Sequence, residues 1–113
     1  MHELSLCKNM MELVMNHVNK KTDKKIKIIH IEMGELAAIE QTAFVFSFNV
    51  IKKGTILENA VLNIITILGQ AYCDCCQQVI RIASYHQPCV SCGNFALKII
   101  SGQELRVKSM EVE

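Results

Sequence analysis

The sequence has no tryptophan, a single proline and few aromatic residues, and its positive and negative charges almost cancel. Twelve basic and eleven acidic side chains leave a formal net charge of +1, so no strong electrostatic field favours nucleic acid or an anionic membrane as a partner. The longest apolar stretch, Ala60 to Leu68, is too short to cross a bilayer. Half of the residues are hydrophobic and no segment is of low complexity, which is the composition of a folded globular protein.

A secretory signal is also not apparent, because Glu3 and Glu12 stand where such a signal needs a cationic start and an apolar run. We therefore expect a cytoplasmic protein. Six cysteines in 113 residues could form a disulfide framework, but that would require an oxidising compartment. Five of the six lie between Cys73 and Cys92, and such clustering is what a metal site requires.

The clustered cysteines contain two C-x2-C units, Cys73 with Cys76 and Cys89 with Cys92, separated by twelve residues. Two such turns make a tetrahedral cage of four thiolates, which selects Zn2+ over harder ions. Because the protein occupies all four positions, the zinc is predicted to be structural. About thirty residues bury too little apolar surface to fold alone, so zinc should supply the stability of this lobe.

Two further residues near these units are potential ligands. Cys75 lies inside the first unit, but C-x2-C spacing is commoner than C-x-C, so we place Cys75 outside the ligand set. His86 is a lone histidine in a predicted loop, where an imidazole is more often solvated than bound to metal.

Hydrophobic periodicity predicts helices over residues 4–19 and 40–52 and strands over residues 26–33, 60–68 and 104–112. The order implies an α+β fold in which two helices pack on a three-stranded sheet, with a small inserted zinc-ribbon-like lobe before the last strand. The predicted domains are 1–69 plus 103–113 and 70–102. Apolar residues at both odd and even positions would cover both faces of the strand 60–68, which predicts that it is buried in the sheet. Gly69 and the Ser101-Gly102 pair are expected hinges, and a bend is expected near Ser109.

The first residues, Met1-His2-Glu3, offer a second kind of metal site. The α-amino group titrates near pH 8, and the adjacent peptide nitrogens and the His2 imidazole lie within chelating distance of it. Nitrogen donors in a plane suit Ni(II) or Cu(II), and carboxylates of Glu3 or Glu40 could complete the set. Read from these residues alone, a solvated N-terminus remains the alternative.

Five parts of the sequence together carry a resemblance to a known family: the opening Met1 to Leu6, the segment Glu32 to Glu40, the phenylalanine-rich helix Thr42 to Val50, the two C-x2-C units and the closing Leu105 to Glu113. They resemble the HypA/HybF family of hydrogenase nickel-incorporation proteins, especially its HybF branch. The resemblance spans essentially the whole chain, and an M-H-E start combined with two zinc knuckles is highly specific.

The resemblance implies that the protein is not an enzyme. It implies that the protein binds one nickel ion and delivers it to the large subunit of a [NiFe] hydrogenase together with a HypB-type GTPase. The nickel ligands would centre on His2 and the backbone nitrogens, with Glu3 and Glu40 at acidic positions of the nickel region. The zinc ligands would be Cys73, Cys76, Cys89 and Cys92. Some relatives carry a histidine beside each knuckle, but Gln77-Gln78 and Gly93 stand there in this chain. Urease as a client and self-association are left open.

Two other classes of function compete with this interpretation. A zinc-ribbon module for nucleic acid or protein binding would use the lysines from Lys20 to Lys27, although a lysine run between a helix and a strand is more often a solvated connection. An enzyme could pair Cys7 with His17 or His30, but a small thiol on an amphipathic helix is ordinarily a core residue. No serine elbow, phosphate loop or HExxH helix occurs in the sequence.

Overall fold

The computed structural model describes residues 3–21 and 25–113. These residues form two helices, a short 3-10 turn and six strands: α1 Glu3–Lys21, β1 Ile26–Gly34, the 3-10 turn Glu35–Ala37, α2 Gln41–Ile51, β2 Val61–Ile67, β3 Gln70–Cys73, β4 Gln78–Arg81, β5 Leu97–Ser101 and β6 Leu105–Val112. Both helices and the strands β1, β2 and β6 confirm the sequence prediction. No helix in the described part of the chain is long and apolar enough to cross a membrane.

The described chain divides into two compact units. Unit 1 comprises residues up to 31, 39–64 and 106–113, and unit 2 comprises residues 32–38 and 65–105. Unit 2 thus includes the end of β1 and the 3-10 turn in addition to the cysteine region. Compactness does not test independent folding, so the predicted domains 1–69 plus 103–113 and 70–102 stay a prediction.

Helix α1 buries one stripe of side chains in unit 1. Its buried positions recur at intervals of three and four residues, as expected for an amphipathic helix: Cys7, Met10, Met11, Val14 and Val18. Leu13 is apolar and lies at helical spacing from Met10, which predicts that it belongs to this stripe, but the structure leaves it 70% exposed. Leu13 is one position before Val14, which turns it by roughly 100° from the buried side.

Helix α2 contributes the largest side chains of the same core. Phe44 and Phe48, one turn apart, are fully buried, and α2 packs against α1. Glu40 is the N-cap of α2, with its carboxylate accepting a hydrogen bond from the Ala43 N–H. The sequence predicts this face correctly because bulky residues at i and i+4 point the same way.

Three strands form the first sheet in the order β2-β1-β6. The central strand β1 is the most buried, with Ile29 and Ile31 inaccessible to solvent. The expectation that residues 60–68 form a buried strand is wrong, since β2 lies at an edge and none of its seven residues is fully buried. Val and Ile on both faces of a strand are typical of a central strand, but the edge position of β2 leaves these side chains partly exposed.

A second antiparallel sheet, in the order β4-β3-β5, forms the cysteine lobe. Ala71 of β3 is paired with Ile80 on one side and Ile99 on the other, and a register shift between Gln70 and Ala71 leaves Ile100 as an extra residue of β5. None of these three strands was predicted individually. Each has only four or five residues, too few for a periodic pattern to be recognised.

Candidate metal centres

The structure brings together the two C-x2-C units in unit 2. Cys73, Cys76, Cys89 and Cys92 place their sulfur atoms within 4.8 Å of one another. The Sγ–Sγ separation is 3.7 Å between Cys73 and Cys92 and 3.9 Å between Cys76 and Cys89. A tetrahedron with metal–sulfur bonds of about 2.3 Å has edges of roughly 3.8 Å, so the four thiols fit a zinc-type S4 site.

Tight turns position the two pairs of thiols. The first pair lies at the end of β3 and in the turn before β4, where Gln77 adopts a positive φ of 54°. In the second turn, the Gly93 N–H donates to the Cys89 carbonyl and the Cys89 N–H donates to the Asn94 carbonyl. Gly93 has φ of 76°, a conformation that glycine adopts without steric cost. A glycine directly after the second C-x2-C unit is typical of such a turn, whereas the sequence gives no signal for the positive φ of Gln77.

The electrostatics of the second turn favour a thiolate. Backbone N–H groups of Cys92 and Ser91 lower the pKa of Cys89 to about 7, because hydrogen bonds to sulfur stabilise its charged form. The pKa of Cys76 is raised, first by its hydrogen bond with Cys92 and then by burial. A divalent cation bound among the four sulfurs would displace their protons and offset part of the negative charge of the thiolates.

The thiols are held against a small apolar core of unit 2. Cys73 and Cys89 are buried in a cluster whose other members come from the 3-10 turn and from β3, β4 and the residue after β4: Leu36, Ala71, Ile80 and Ile82. Two ligand candidates are therefore buried, while Cys76 is half-buried and Cys92 exposed. Burial of one side restricts the positions of the sulfurs and leaves the other side accessible to an entering metal ion.

The second predicted site is described only in part. Met1 and His2 lie outside the described residues, so their role as nickel ligands stays a prediction. Glu3 is the first residue of α1, and its Oε2 accepts a hydrogen bond from the Glu40 N–H at 3.4 Å. The structure thus places these two acidic candidates next to each other, although they are 37 positions apart in the sequence, and the contact joins the Glu3 carboxylate to the Glu40 backbone.

The structure keeps several other candidate residues out of the four-sulfur group. Cys75 and His86 are exposed, and Cys75 is not part of the four-sulfur group. Cys7 is fully buried, and burial raises its pKa to about 11, which makes it a core thiol and not a nucleophile. His17 is exposed on α1. These placements agree with the sequence-based interpretation of Cys7 as a core thiol, of Cys75 as a residue outside the ligand set and of His86 as a solvated histidine.

Sequence reasoning missed two polar clusters. Across the first sheet, the His30 Nε2 lies 2.6 Å from Glu111 and its Nδ1 lies 2.9 Å from the Asn63 amide nitrogen. In unit 2, Glu35 accepts hydrogen bonds from the Gly69 N–H at 3.0 Å and from Arg81 at 2.8 Å. All partners are more than thirty positions apart, so no local pattern could have indicated them.

Comparisons with known proteins agree with this arrangement. Residues 1–112 match the family model described as hydrogenase/urease nickel incorporation, metallochaperone, hypA. The hydrogenase maturation factor HypA of Legionella pneumophila strain Lens is 44% identical over 113 residues, covering all of both chains. That of Actinobacillus succinogenes is 38% identical over 118 aligned positions, again covering both chains.

Solved structures show the same fold. The solution structure of the nickel metallochaperone HypA from Helicobacter pylori aligns with a TM-score of 0.70 at 25% identity and covers 99% of this chain and 97% of that one. Assignment to the HybF branch stays a prediction, because the matched model and relatives carry the HypA name. The family model and the end-to-end relatives establish that this chain belongs to the HypA family of nickel-incorporation metallochaperones, which are hydrogenase maturation factors and not enzymes.

Proposed function

We propose that this protein binds one Ni(II) ion at its N-terminus and helps to insert it into the large subunit of a [NiFe] hydrogenase. The donors are the Met1 amine, adjacent backbone nitrogens and the His2 imidazole, with Glu3 and Glu40 as carboxylate ligands or neighbours. The observation that supports this most directly is the hydrogen bond from the Glu40 N–H to the Glu3 carboxylate, which brings a second acidic residue next to the first residue of α1. Two carboxylates beside nitrogen donors provide negative charge for a divalent cation.

A nickel site at a chain terminus suits a carrier. A metal held by a few terminal donors exchanges more readily than one enclosed on every side, and the described part of the site, Glu3 and the exposed Glu40, is accessible from solvent. Glu40 also caps α2, so one of the acidic groups is held by a helix and the other begins a helix. Nickel is thus proposed as cargo and not as a resident cofactor.

The four cysteines are proposed to hold a structural Zn2+. Their sulfur spacing matches the edges of a zinc–thiolate tetrahedron, and they leave no coordination position for a substrate. Zinc would therefore stabilise unit 2 and take no part in nickel transfer chemistry. We propose that the protein acts in the cytoplasm, where reducing conditions keep the cysteine thiols available to bind metal.

The proposed partners are the hydrogenase large subunit and a HypB-type GTPase. Delivery requires a recipient whose nickel ligands compete with the terminal donors. A partner that hydrolyses GTP could couple that reaction to nickel release and so make the transfer proceed in one direction. Because the matched family model names both hydrogenase and urease, the client enzyme is a question for transfer assays with each purified apo-enzyme.

Nickel binding by the His2→Ala variant is the direct test. We expect the variant to lose at least about 100-fold in nickel affinity, equivalent to roughly 2.7 kcal/mol, while zinc content and helical circular dichroism stay unchanged. Equilibrium dialysis with metal analysis measures both ions. His17→Ala is the matched control, because it removes an exposed histidine of α1 that lies outside the proposed donor set.

Adding one residue before Met1 tests the free amine. The extension leaves every side chain in place but moves the α-amino group away, so nickel binding should weaken without a change in zinc. Unchanged nickel affinity in both His2→Ala and the extended chain would refute the terminal site. In that case a zinc-dependent protein-interaction module without nickel delivery would become the better interpretation.

A further inference from the structure

The four clustered cysteines of unit 2 differ in their accessibility to solvent. Cys73 and Cys89 are buried, Cys76 is half-buried and Cys92 is exposed. Cys92 lies in the turn of the second C-x2-C unit, where every residue from 90 to 93 is exposed. A small oxidant in solution therefore reaches one member of the proposed zinc ligand set without any opening of the fold.

The exposed Cys92 has a buried thiol beside it. Its Sγ lies 3.7 Å from the Sγ of Cys73, whereas the sulfurs of Cys76 and Cys89 are 3.9 Å apart. Since the S–S bond of a disulfide is about 2.05 Å long, a shift of less than about 2 Å in the exposed turn brings Cys92 to bonding distance of Cys73. An accessible thiolate next to a second thiol is the arrangement typical of redox-sensing cysteines.

The surroundings of Cys73 suit it to the second step of an oxidation and not to the first. Cys73 is inaccessible to solvent, and the side-chain amide of Asn94 donates a hydrogen bond to its Sγ at 4.0 Å. Asn94 is held in turn, because its side-chain oxygen accepts a hydrogen bond from the Ala96 N–H at 3.1 Å. The Cys73 sulfur is thus shielded from an oxidant in solution but lies within reach of Cys92.

We propose that Cys92 and Cys73 form a peroxide-sensitive switch, in which their oxidation to a disulfide removes two of the four zinc ligands and releases the metal. This inference rests on the proposed zinc site and adds a mode of regulation to it. Two thiols, Cys76 and Cys89, are too few to complete a four-coordinate site, so unit 2 loses the ion that stabilises it. Reduction of the disulfide restores all four thiols, which makes the switch reversible.

The oxidation uses one molecule of hydrogen peroxide and transfers two electrons. The Cys92 thiolate attacks one peroxide oxygen, the O–O bond breaks, and Cys92 becomes a sulfenic acid as hydroxide leaves. The Cys73 thiolate then attacks the Cys92 sulfur, the S–O bond breaks, and a second hydroxide leaves as the disulfide forms. The two hydroxides take up two protons from solvent and become water.

The remaining two cysteines provide internal controls. Cys75 is exposed but lies outside the four-sulfur group, so its oxidation alone leaves all four proposed ligands in place. Cys7 is fully buried in unit 1 and should stay reduced. The proposed reaction therefore depends on an exposed sulfur paired with a buried one and not on exposure alone.

Peroxide treatment of the native, zinc-loaded chain is the test. Metal analysis first gives the zinc content of the untreated protein, and a chromogenic chelator then follows the zinc released by one equivalent of hydrogen peroxide. We expect zinc release to accompany the loss of two thiols, and dithiothreitol with added zinc to restore the bound metal. Cys75→Ser is the matched control, because it removes an exposed thiol from outside the four-sulfur group and should release zinc at the wild-type rate.

Mass spectrometry identifies the cysteines that are linked. After the free thiols are blocked with a maleimide, trypsin cleaves at Arg81 and so separates the two C-x2-C units. The oxidised chain should give two tryptic peptides joined by one disulfide, and fragmentation should place this bond between Cys73 and Cys92. Cys7 should carry the maleimide.

The possible results distinguish failure of the switch from failure of the zinc site. Zinc that stays bound after peroxide treatment, or zinc released with sulfinic acid and no disulfide, would overturn the switch and leave the zinc site standing. A disulfide between Cys76 and Cys89, or one that contains Cys75, would contradict the assignment of Cys92 and Cys73. An untreated chain without zinc would refute the zinc site and the switch with it.

Discussion

Gly34, Gly69 and Gly102 occupy positions where backbone segments of unit 2 approach closer than side chains permit. A Cβ on Gly34 would lie 2.0 Å from the Gly102 carbonyl oxygen, and one on Gly69 would lie 2.2 Å from the Ile82 carbonyl oxygen. A Cβ on Gly102 would lie 2.6 Å from the Gly69 Cα. The sequence predicts hinges at Gly69 and Gly102, whereas the structure shows close packing at both positions and, at Gly102, a φ of 105° that also favours glycine.

Substitution of Gly34 tests this packing. Its φ of −73° suits any residue, so Gly34→Ala introduces a steric conflict with backbone and no conformational strain. We expect a loss of about 3 kcal/mol or more in the free energy of unfolding, measured by urea denaturation. Gly54→Ala is the control, since no atom lies within 4 Å of its Cβ position and only its φ of 78° opposes alanine, at about 1 to 2 kcal/mol. An equal or smaller loss for Gly34→Ala would contradict the packing argument.

At the scale of elements, Glu35 links the 3-10 turn to the residue before β3 and to β4. One carboxylate oxygen accepts from the buried Gly69 N–H, and the other accepts from Arg81, whose side chain is 56% exposed. The two contacts should contribute differently to the free energy of unfolding. An unpaired buried N–H costs about 1 to 3 kcal/mol, whereas an exposed ion pair contributes at most about 1 kcal/mol.

We therefore expect Glu35→Ala to destabilise the protein by about 1 to 3 kcal/mol and Arg81→Ala by less than about 1 kcal/mol. Glu35→Gln retains an oxygen for Gly69 and should behave like Arg81→Ala. Thermal denaturation of the three zinc-loaded variants provides the comparison. If Arg81→Ala proved as damaging as Glu35→Ala, the ion pair and not the backbone hydrogen bond would hold these elements together.

The elements also show which parts of this fold are readable from sequence. Helix α2 is predicted correctly because Phe44 and Phe48 repeat at helical spacing, and the four cysteines are grouped correctly because C-x2-C spacing is a local signal. The strand β2 is predicted as a strand, but its position in the sheet is predicted wrongly, since Val and Ile do not distinguish a central strand from an edge strand. The contacts of Glu3 with Glu40 and of Glu35 with Gly69 depend on tertiary structure, which no local period encodes.

On the scale of the whole molecule, the two units differ in what stabilises them. Unit 1 contains both helices and the large buried residues Phe44, Phe48 and Ile29. The buried cluster of unit 2 is small, and two of its members are the cysteines Cys73 and Cys89. Because cysteines form part of this core, its stability should depend on the metal that they bind. A structural zinc contributes on the order of 10 kcal/mol to the folding free energy of small modules.

Removal of the metal should therefore unfold unit 2 and leave unit 1 folded. After treatment with a strong chelator, amides of β3, β4 and β5 should exchange rapidly, while α1 and α2 retain their protection and the helical circular dichroism persists. Cys89→Ser should reproduce this state without chelator. Cys75→Ser should bind zinc as the wild type does, because Cys75 lies outside the four-sulfur group. Simultaneous loss of helical signal on chelation would show that unit 1 cannot fold without unit 2. Protected β3 and β5 in the metal-free chain would show instead that the apolar cluster alone is sufficient.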